Sequence, residues 1–184
     1  MAQRSMAGAA SDPSITRLTG TLLGLARIAI GYLWWQETLW KLPPSFGCKD
    51  SEPAGLCDWV GREVANPQYA WYAAFLRNVI QPHLGLFGWF IYAGELVTAI
   101  LLVLGLLTRL GGLLGFVQGI NLWIGLAAVP HEWQWTYIML ALINLTLALT
   151  AAGRWLDLDA LIHPRAAQAS AGGNRLVRLV AALT

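Results

Sequence analysis

Residues 84–129 form an apolar stretch that contains only two charged residues, Glu95 and Arg109. About 20 apolar residues are enough for a helix to cross the hydrocarbon core of a membrane, so this stretch is long enough for two spans joined near Arg109. A soluble domain has about a quarter charged residues, whereas this 184-residue chain has 12%. We therefore predict a membrane protein in which consecutive helices fold back on each other.

The other apolar segments extend this prediction to an all-α membrane protein, a bundle of four transmembrane helices. The predicted spans are residues 18–40, 84–107, 110–129 and 134–152. The long first loop, residues 41–83, contains amphipathic pieces that we expect to lie on the membrane surface as short helices. The membrane domain covers residues 17–162. Residues 1–16 are predicted to be a flexible N-terminal arm and residues 163–184 a C-terminal tail.

The distribution of arginine predicts the orientation of the bundle. Arginines occur in the N-terminal arm, in the turn at residues 108–109 and in the C-terminal tail, whereas the loop at residues 130–133 contains neither Lys nor Arg. Loops rich in Lys and Arg stay in the cytoplasm. We therefore expect both termini in the cytoplasm and the long first loop outside.

Five polar side chains are predicted to form one layer near the middle of the membrane: Arg27, Glu95, Gln118, Asn121 and Asn144. Arg27 counts about ten residues, or roughly 15 Å, from its end of the span. A charge at the bilayer centre costs at least about 2.5 kcal/mol, and an Arg27–Glu95 pair would lower that cost. Two interpretations stay open. The layer binds a quinone head group or a small anion, with Glu95 as a proton relay, or it is a structural ion pair that fixes helix register.

Glu37 and Lys41 lie at the predicted outer end of the first span, among several tryptophans. The two residues are four apart on a helix and can form an ion pair. The tryptophans are typical of an aromatic belt at the membrane interface. The alternative is an aromatic-lined outer cleft in which Glu37 and Lys41 are the polar groups.

Cys48 and Cys57 lie nine residues apart in the long first loop. In an oxidising compartment this pair predicts a structural disulfide. The alternative is a redox pair that exchanges with a partner, but the C-x-x-C spacing typical of such pairs is absent.

No metal or cofactor site is predicted in this chain. His83, His131 and His163 lie in connections or at membrane edges, so a haem held by two histidines inside the bundle is not expected. Two cysteines cannot hold an iron–sulfur cluster alone, and no phosphate-binding glycine loop is present. The chain has no basic patch for nucleic acid. If the protein does redox work, the electron carrier is a diffusible quinone or belongs to a partner.

Several motifs in a fixed order resemble the DoxX/DoxD superfamily. They are Arg27-Ile-Ala-Ile-Gly-Tyr-Leu-Trp34, Lys41-Leu-Pro-Pro44, Gly94-Glu95, Gly105-Leu-Leu-Thr-Arg109, Glu132-Trp-Gln-Trp135 and Gly153-Arg-Trp-Leu-Asp-Leu-Asp159. The lysine followed by paired prolines, the long first loop and the Glu-Trp-Gln-Trp segment resemble the DoxD type in particular. That type is the small membrane subunit of thiosulfate:quinone oxidoreductase.

The resemblance implies a four-helix protein of the bacterial or archaeal cytoplasmic membrane. It also implies oxidation of thiosulfate to tetrathionate with reduction of a membrane quinone, together with a second subunit, DoxA. On this basis we expect Lys41 to bind thiosulfate near the outer face and the Arg27–Glu95 layer to meet the quinone. The alternative is a non-catalytic subunit packed inside a larger electron-transfer or photosynthetic complex, so whether the chain is an enzyme stays open. Membrane lipid and other subunits are the expected partners.

Overall fold

The structure, a computed structural model, describes residues 13–50 and 52–150. The predicted C-terminal tail and the first twelve residues of the predicted arm lie outside the described residues. Residues 13–16, which were assigned to the arm, belong instead to the first helix.

Within the described residues all regular structure is helical. The α-helices are α1 (Pro13–Leu39), α2 (Gly55–Ala65), α3 (Ala70–Phe75), α4 (Leu84–Leu104), α5 (Thr108–Leu126) and α6 (Gln134–Leu149). Four of them, α1, α4, α5 and α6, correspond to the predicted spans, and α2 and α3 are the short helices predicted in the first loop. The all-α prediction is therefore confirmed.

One helical stretch, Ala70–Leu104, is continuous over 35 residues and is long and apolar enough to cross a membrane. It comprises α3, a π-helical turn at Leu76–Ile80, a 3₁₀ turn at Gln81–His83 and α4. Pro82 lies in the 3₁₀ turn, and the next residue, His83, has φ −119° and ψ 29°, outside the helical region. The backbone therefore changes direction between the π-helical turn and α4. Among the described residues, α6 is also apolar but shorter, and the count of four spans stays a prediction.

The helices of the bundle pack in chain order, α1 on α4, α4 on α5 and α5 on α6, while α1 and α6 make little contact. Glycine allows the closest approaches. A Cβ on Gly31 of α1 would lie 2.8 Å from the Val103 backbone nitrogen of α4. A Cβ on Gly115 or Gly119 would lie 2.1 or 3.0 Å from atoms of α6, so these two glycines let α5 and α6 pack closely. Gly111 faces Leu101 of α4 instead.

The turn between α4 and α5 is built by left-handed backbone. Gly105 has φ 63° and Leu107 has φ 48°, and the Leu106 N–H reaches back to the Leu101 carbonyl at 3.0 Å. This αL ending stops α4 at Leu104. The turn therefore lies at residues 105–107, and the predicted turn residue Thr108 is the first residue of α5.

Residues 41–75 fold over one end of the bundle, and we call this segment the cap. The ring of Phe46 fills the space above Gly88 of α4, where a Cβ would lie 2.7 Å from the ring. Leu56 and Val60 of α2 and Tyr72 of α3 join Phe46 in an apolar cluster against α4 and α5. The predicted disulfide between Cys48 and Cys57 is present, with Cα atoms 5.5 Å apart. We call the end of the bundle that carries this segment the cap end, and the opposite end, which carries the α4–α5 turn, the turn end.

Candidate functional site

An ion pair between Lys41 and Glu95 lies at the cap end of the bundle. The Lys41 Nζ is 2.6 Å from the Glu95 Oε1, and the two side chains are only 6% and 5% exposed. Lys41 follows α1, whereas Glu95 lies in the middle of α4. The pair therefore joins two sites that were predicted separately, the outer cleft of Lys41 and the mid-membrane layer of Glu95.

Glu37 lies at the entrance to this ion pair. Its carboxylate is 4.0 Å from the Lys41 Nζ, and its side chain is 54% exposed. Trp40 donates a hydrogen bond from its Nε1 to the Glu37 Oε2 at 3.0 Å, and its ring lies 4.3 Å from the Lys41 Nζ, where a cation–π contact forms. Glu37 and Lys41 therefore pair as predicted, and Trp40 holds both side chains in place.

The second carboxylate oxygen of Glu95 is the atom of the site that is available to a ligand or a proton. Oε2 is buried and has no hydrogen-bond partner among the described residues. A buried acceptor without a partner costs about 1–3 kcal/mol. Oε2 is therefore the position at which a proton or a hydrogen-bond donor of a ligand would relieve that cost.

The predicted pairing of Glu95 with Arg27 is wrong. Arg27 donates from its Nη1 to the Leu102 carbonyl at 2.6 Å, near the C-terminus of α4. The last carbonyls of a helix lack partners within it, and a basic side chain can satisfy them. The prediction placed Arg27 by counting residues from the end of its own span. The contact between Gly31 of α1 and Val103 of α4 instead fixes how the two helices are aligned, and it places Arg27 closer to the turn end.

Asn144 also lies away from Glu95. Its Oδ1 accepts a hydrogen bond from the Trp34 Nε1 at 3.3 Å, which connects α6 to α1, and its Nδ2 donates to the Leu140 carbonyl at 2.8 Å. A Cβ on Gly115 would lie 2.1 Å from the same Oδ1. Asn144 thus points inward as predicted, but it belongs to the helix-packing contacts between α1, α5 and α6.

Gln118 lies on the part of α5 that faces α4, and Asn121 follows it at an exposed position of the same helix. Gln118 donates from its Nε2 to the Thr98 Oγ1 at 2.8 Å. α4 and α5 run antiparallel. Asn121 lies three residues after Gln118 on α5, and Glu95 lies three residues before Thr98 on α4, so both are displaced from this contact in the same direction. These two members of the predicted layer therefore lie at the same level of the bundle.

Tyr72 adds a hydroxyl to this level from the cap. It is a buried residue of α3, and its hydroxyl donates to the Asn121 Oδ1 at 3.1 Å. Sequence reasoning did not assign Tyr72 to the site, because it lies in the first loop and its position depends on how the cap folds. The groups at this level are Glu37, Lys41, Glu95, Asn121 and Tyr72, and we call them the polar belt.

Tyr137, Glu132 and Glu63 lie near the polar belt. The Tyr137 hydroxyl of α6 donates to the Glu132 Oε2 at 2.5 Å, and Tyr137 also lies within electrostatic range of Glu37 and Glu63. Within residues 13–50 and 52–150, however, these carboxylates and the other His, Cys and Asp side chains form no group of three or more that could hold a metal ion.

An apolar groove of about 340 Å³ lies between α1 and α6, where the bundle is open. It is lined by Leu23, Ala26, Met139, Leu142, Ile143, Thr146 and Leu147. The one polar group, the Thr146 hydroxyl, donates to the Leu142 carbonyl of its own helix. The groove therefore offers an apolar surface at the lateral edge of the bundle.

The fold is a small helical bundle with a buried ion pair beside its cap and one helical stretch that is long and apolar enough to cross a membrane. The family model described as the TQO small subunit DoxD matches residues 23–181. The chain therefore belongs to the DoxD family, as its motifs predicted, and this family is membrane-associated. The description gives its members as the small subunit of a larger complex. No match was found among curated proteins or solved structures.

Proposed function

We propose that this chain supplies the quinone-reducing site of a membrane complex that oxidises thiosulfate. The observation that carries the proposal is the buried Lys41–Glu95 pair with the uncommitted Oε2 of Glu95. Two thiosulfate ions release two electrons when they join as tetrathionate. A quinone takes up these two electrons and two protons to become a quinol. The site must therefore stabilise charge on a carbonyl oxygen and supply protons.

The polar belt has the groups that such a reduction needs. An ammonium group near a quinone carbonyl stabilises the negative charge that develops on its oxygen. Glu95 is positioned to carry a proton on the oxygen that Lys41 does not use, and the exposed Glu37 lies between the ion pair and water, 4.0 Å from Lys41. In this mechanism Lys41 binds the reduced oxygen, Glu95 protonates it, and Glu37 restores the proton from solvent.

Thiosulfate fits this site poorly, contrary to the expectation that Lys41 binds it. Glu95 and Glu37 place two carboxylates beside the single cation, at 2.6 and 4.0 Å from the Lys41 Nζ. Two like unit charges 4 Å apart repel by about 4 kcal/mol at an effective dielectric constant of 20, and thiosulfate carries two charges. We therefore propose that a partner subunit binds and oxidises thiosulfate and that the electrons reach the quinone in this chain. The family description as a small subunit supports this division.

The second candidate function is that of a non-catalytic subunit within a larger electron-transfer or photosynthetic complex. It is favoured by large apolar side chains that stand free of the bundle: Trp133 and Trp135 are 76% and 72% exposed. Aromatic side chains of this kind are enriched where protein subunits meet. In this reading the Lys41–Glu95 pair fixes the register of α1 and α4 and has no part in a reaction.

Glu95→Gln separates the two functions. The complex is purified in mild detergent, and thiosulfate-dependent reduction of a soluble quinone analogue is measured. General acid–base groups contribute at least about 100-fold, so we expect turnover to fall by about 100-fold while the complex stays assembled. Glu52→Gln, at an exposed carboxylate of the cap, is the matched control and should leave turnover unchanged. An assembled Glu95→Gln complex with wild-type turnover would leave only the structural role.

A further inference from the structure

We propose that Glu63 and Tyr72, with Asn121, form a second proton-transfer arm that serves the polar belt from the α2 side of the cap. The inference rests on the proposed function, because reduction of a quinone consumes two protons and Glu95 supplies one. It assigns a role to two ionisable residues of the cap that neither the ion pair nor the family motifs use.

Glu63 is held against the bundle. A Cβ built on Gly125 of α5 would lie 2.6 Å from the Glu63 Cδ and Oε2, so the carboxyl packs directly on the backbone of α5. The side chain is partly buried rather than sealed, and it therefore keeps contact with water. Burial raises the pKa of Glu63 to about 7. At neutral pH this carboxyl accordingly holds a proton for part of the time and exchanges it with solvent.

The charged groups around Glu63 leave its carboxyl available for this exchange. The neighbouring cation on α2, Arg62, pairs with Asp58 at 2.8 Å and lies over the Trp59 ring. α5 contributes Gly125, which has no charge. From α3 and α6 the titratable groups within electrostatic range are the hydroxyls of Tyr72 and Tyr137. Among the described residues Glu63 forms no ion pair that would fix it in the charged state.

Tyr72 connects Glu63 with the level of Glu95. Its hydroxyl donates to Asn121 at 3.1 Å, and Glu63 packs on Gly125, four residues further along the same face of α5. Asn121 lies at the level of Glu95 by the register that the Gln118–Thr98 contact sets. The amide of Asn121 therefore orients the Tyr72 hydroxyl at the level of the ion pair, and Glu63 lies on the solvent side of it.

The proton steps of this arm balance without any further reactant. The Tyr72 hydroxyl passes its proton to the second reduced oxygen of the quinone, and the neutral Glu63 carboxyl returns a proton to the phenolate. Water at the cap then reprotonates Glu63. No electrons move in these steps, since both electrons come from thiosulfate oxidation. Tyr72 is the group that touches the substrate, and Glu63 acts through it.

The pH profile of quinone reduction by the purified complex tests the arm. With Glu63 in place, turnover should fall about tenfold for each pH unit above about 7, since the protonated fraction of an acid falls tenfold per unit above its pKa. In Glu63→Gln this decline should disappear, and turnover should be low at all pH values. Tyr72→Phe should lower turnover to a similar level. Glu52→Gln is again the control and should keep the wild-type profile.

Infrared spectroscopy tests the arm without turnover. The protonated Glu63 carboxyl should give a C=O band that titrates near pH 7, is lost in Glu63→Gln and shifts in Tyr72→Phe. If no such band depends on Glu63, or if Glu63→Gln keeps the wild-type pH profile while Glu95→Gln is inactive, the arm is overturned and the proposed function stands. If the band behaves as expected but the complex reduces no quinone with thiosulfate, the proposed function is overturned instead.

Discussion

The two ends of the bundle use buried charge in different ways. At the turn end, the Arg27 guanidinium donates to the Leu102 carbonyl and so completes the hydrogen bonding of a helix terminus. At the cap end, Lys41 and Glu95 pair with each other, and Glu95 keeps one oxygen without a partner among the described residues. At the turn end the buried charge satisfies a backbone carbonyl, whereas at the cap end one carboxylate oxygen stays available to a proton or a ligand. We therefore expect a structural role for Arg27 and propose a functional one for Glu95.

The largest effect should come from breaking the pair at the cap end. Lys41→Met leaves the Glu95 carboxylate buried without its cation, and removal of one partner of a buried pair costs about 3–5 kcal/mol. Replacing both partners, as Lys41→Met with Glu95→Leu, should restore stability to within about 1 kcal/mol of wild type, because no buried charge is left. Unfolding in a single detergent measures stability, and quinone reduction should stay lost in both variants. Activity in the double variant would contradict the functional role.

A smaller effect is expected at the turn end. Arg27→Met removes the donor to the Leu102 carbonyl, and loss of a hydrogen bond from a charged group costs about 1.5–3 kcal/mol. Turnover per assembled complex should stay close to wild type, since Arg27 lies away from the polar belt. Arg27→Lys keeps a donor and should recover part of the stability. If an assembled and folded Arg27→Met complex lost as much turnover as Glu95→Gln, Arg27 would not have a purely structural role.

The smallest effect is a change in the pH dependence of stability. The pKa of Glu63 is about 7 in the folded chain and 4.5 as an isolated group. The folded state therefore holds this proton more tightly, and the resulting stabilisation is present below pH 4.5 and lost as the pH rises to 7. Glu63→Gln cannot ionise and should be more stable than wild type at pH 8, by about 1 kcal/mol after allowing for partial exposure. Thermal unfolding at pH 5 and pH 8 measures the stability difference between Glu63→Gln and wild type. The same difference at both pH values would contradict this prediction.

The sequence was sufficient to predict the helical fold, the disulfide and most members of the polar belt. Glu95 and Lys41 stand out because charged residues are costly in or beside apolar helices, and Asn121 follows from counting along α5. The partner of Glu95 was predicted incorrectly because depth counts start from helix ends, whereas register is set by side contacts such as that of Gly31 with Val103. Tyr72 was missed because its place at the site depends on the folding of the cap, which no periodicity encodes.

The Cys48–Cys57 disulfide has a consequence for how far apart the two sides of the site can move. Lys41 and Glu63 are separated by 22 residue steps along the backbone, since 63 − 41 = 22. Through the disulfide the path is seven steps to Cys48, the bridge itself, and six steps from Cys57. The shorter contour length limits the fluctuation in distance between the lysine of the ion pair and the α2 carboxyl. The disulfide therefore limits how far Lys41 and Glu63 can separate.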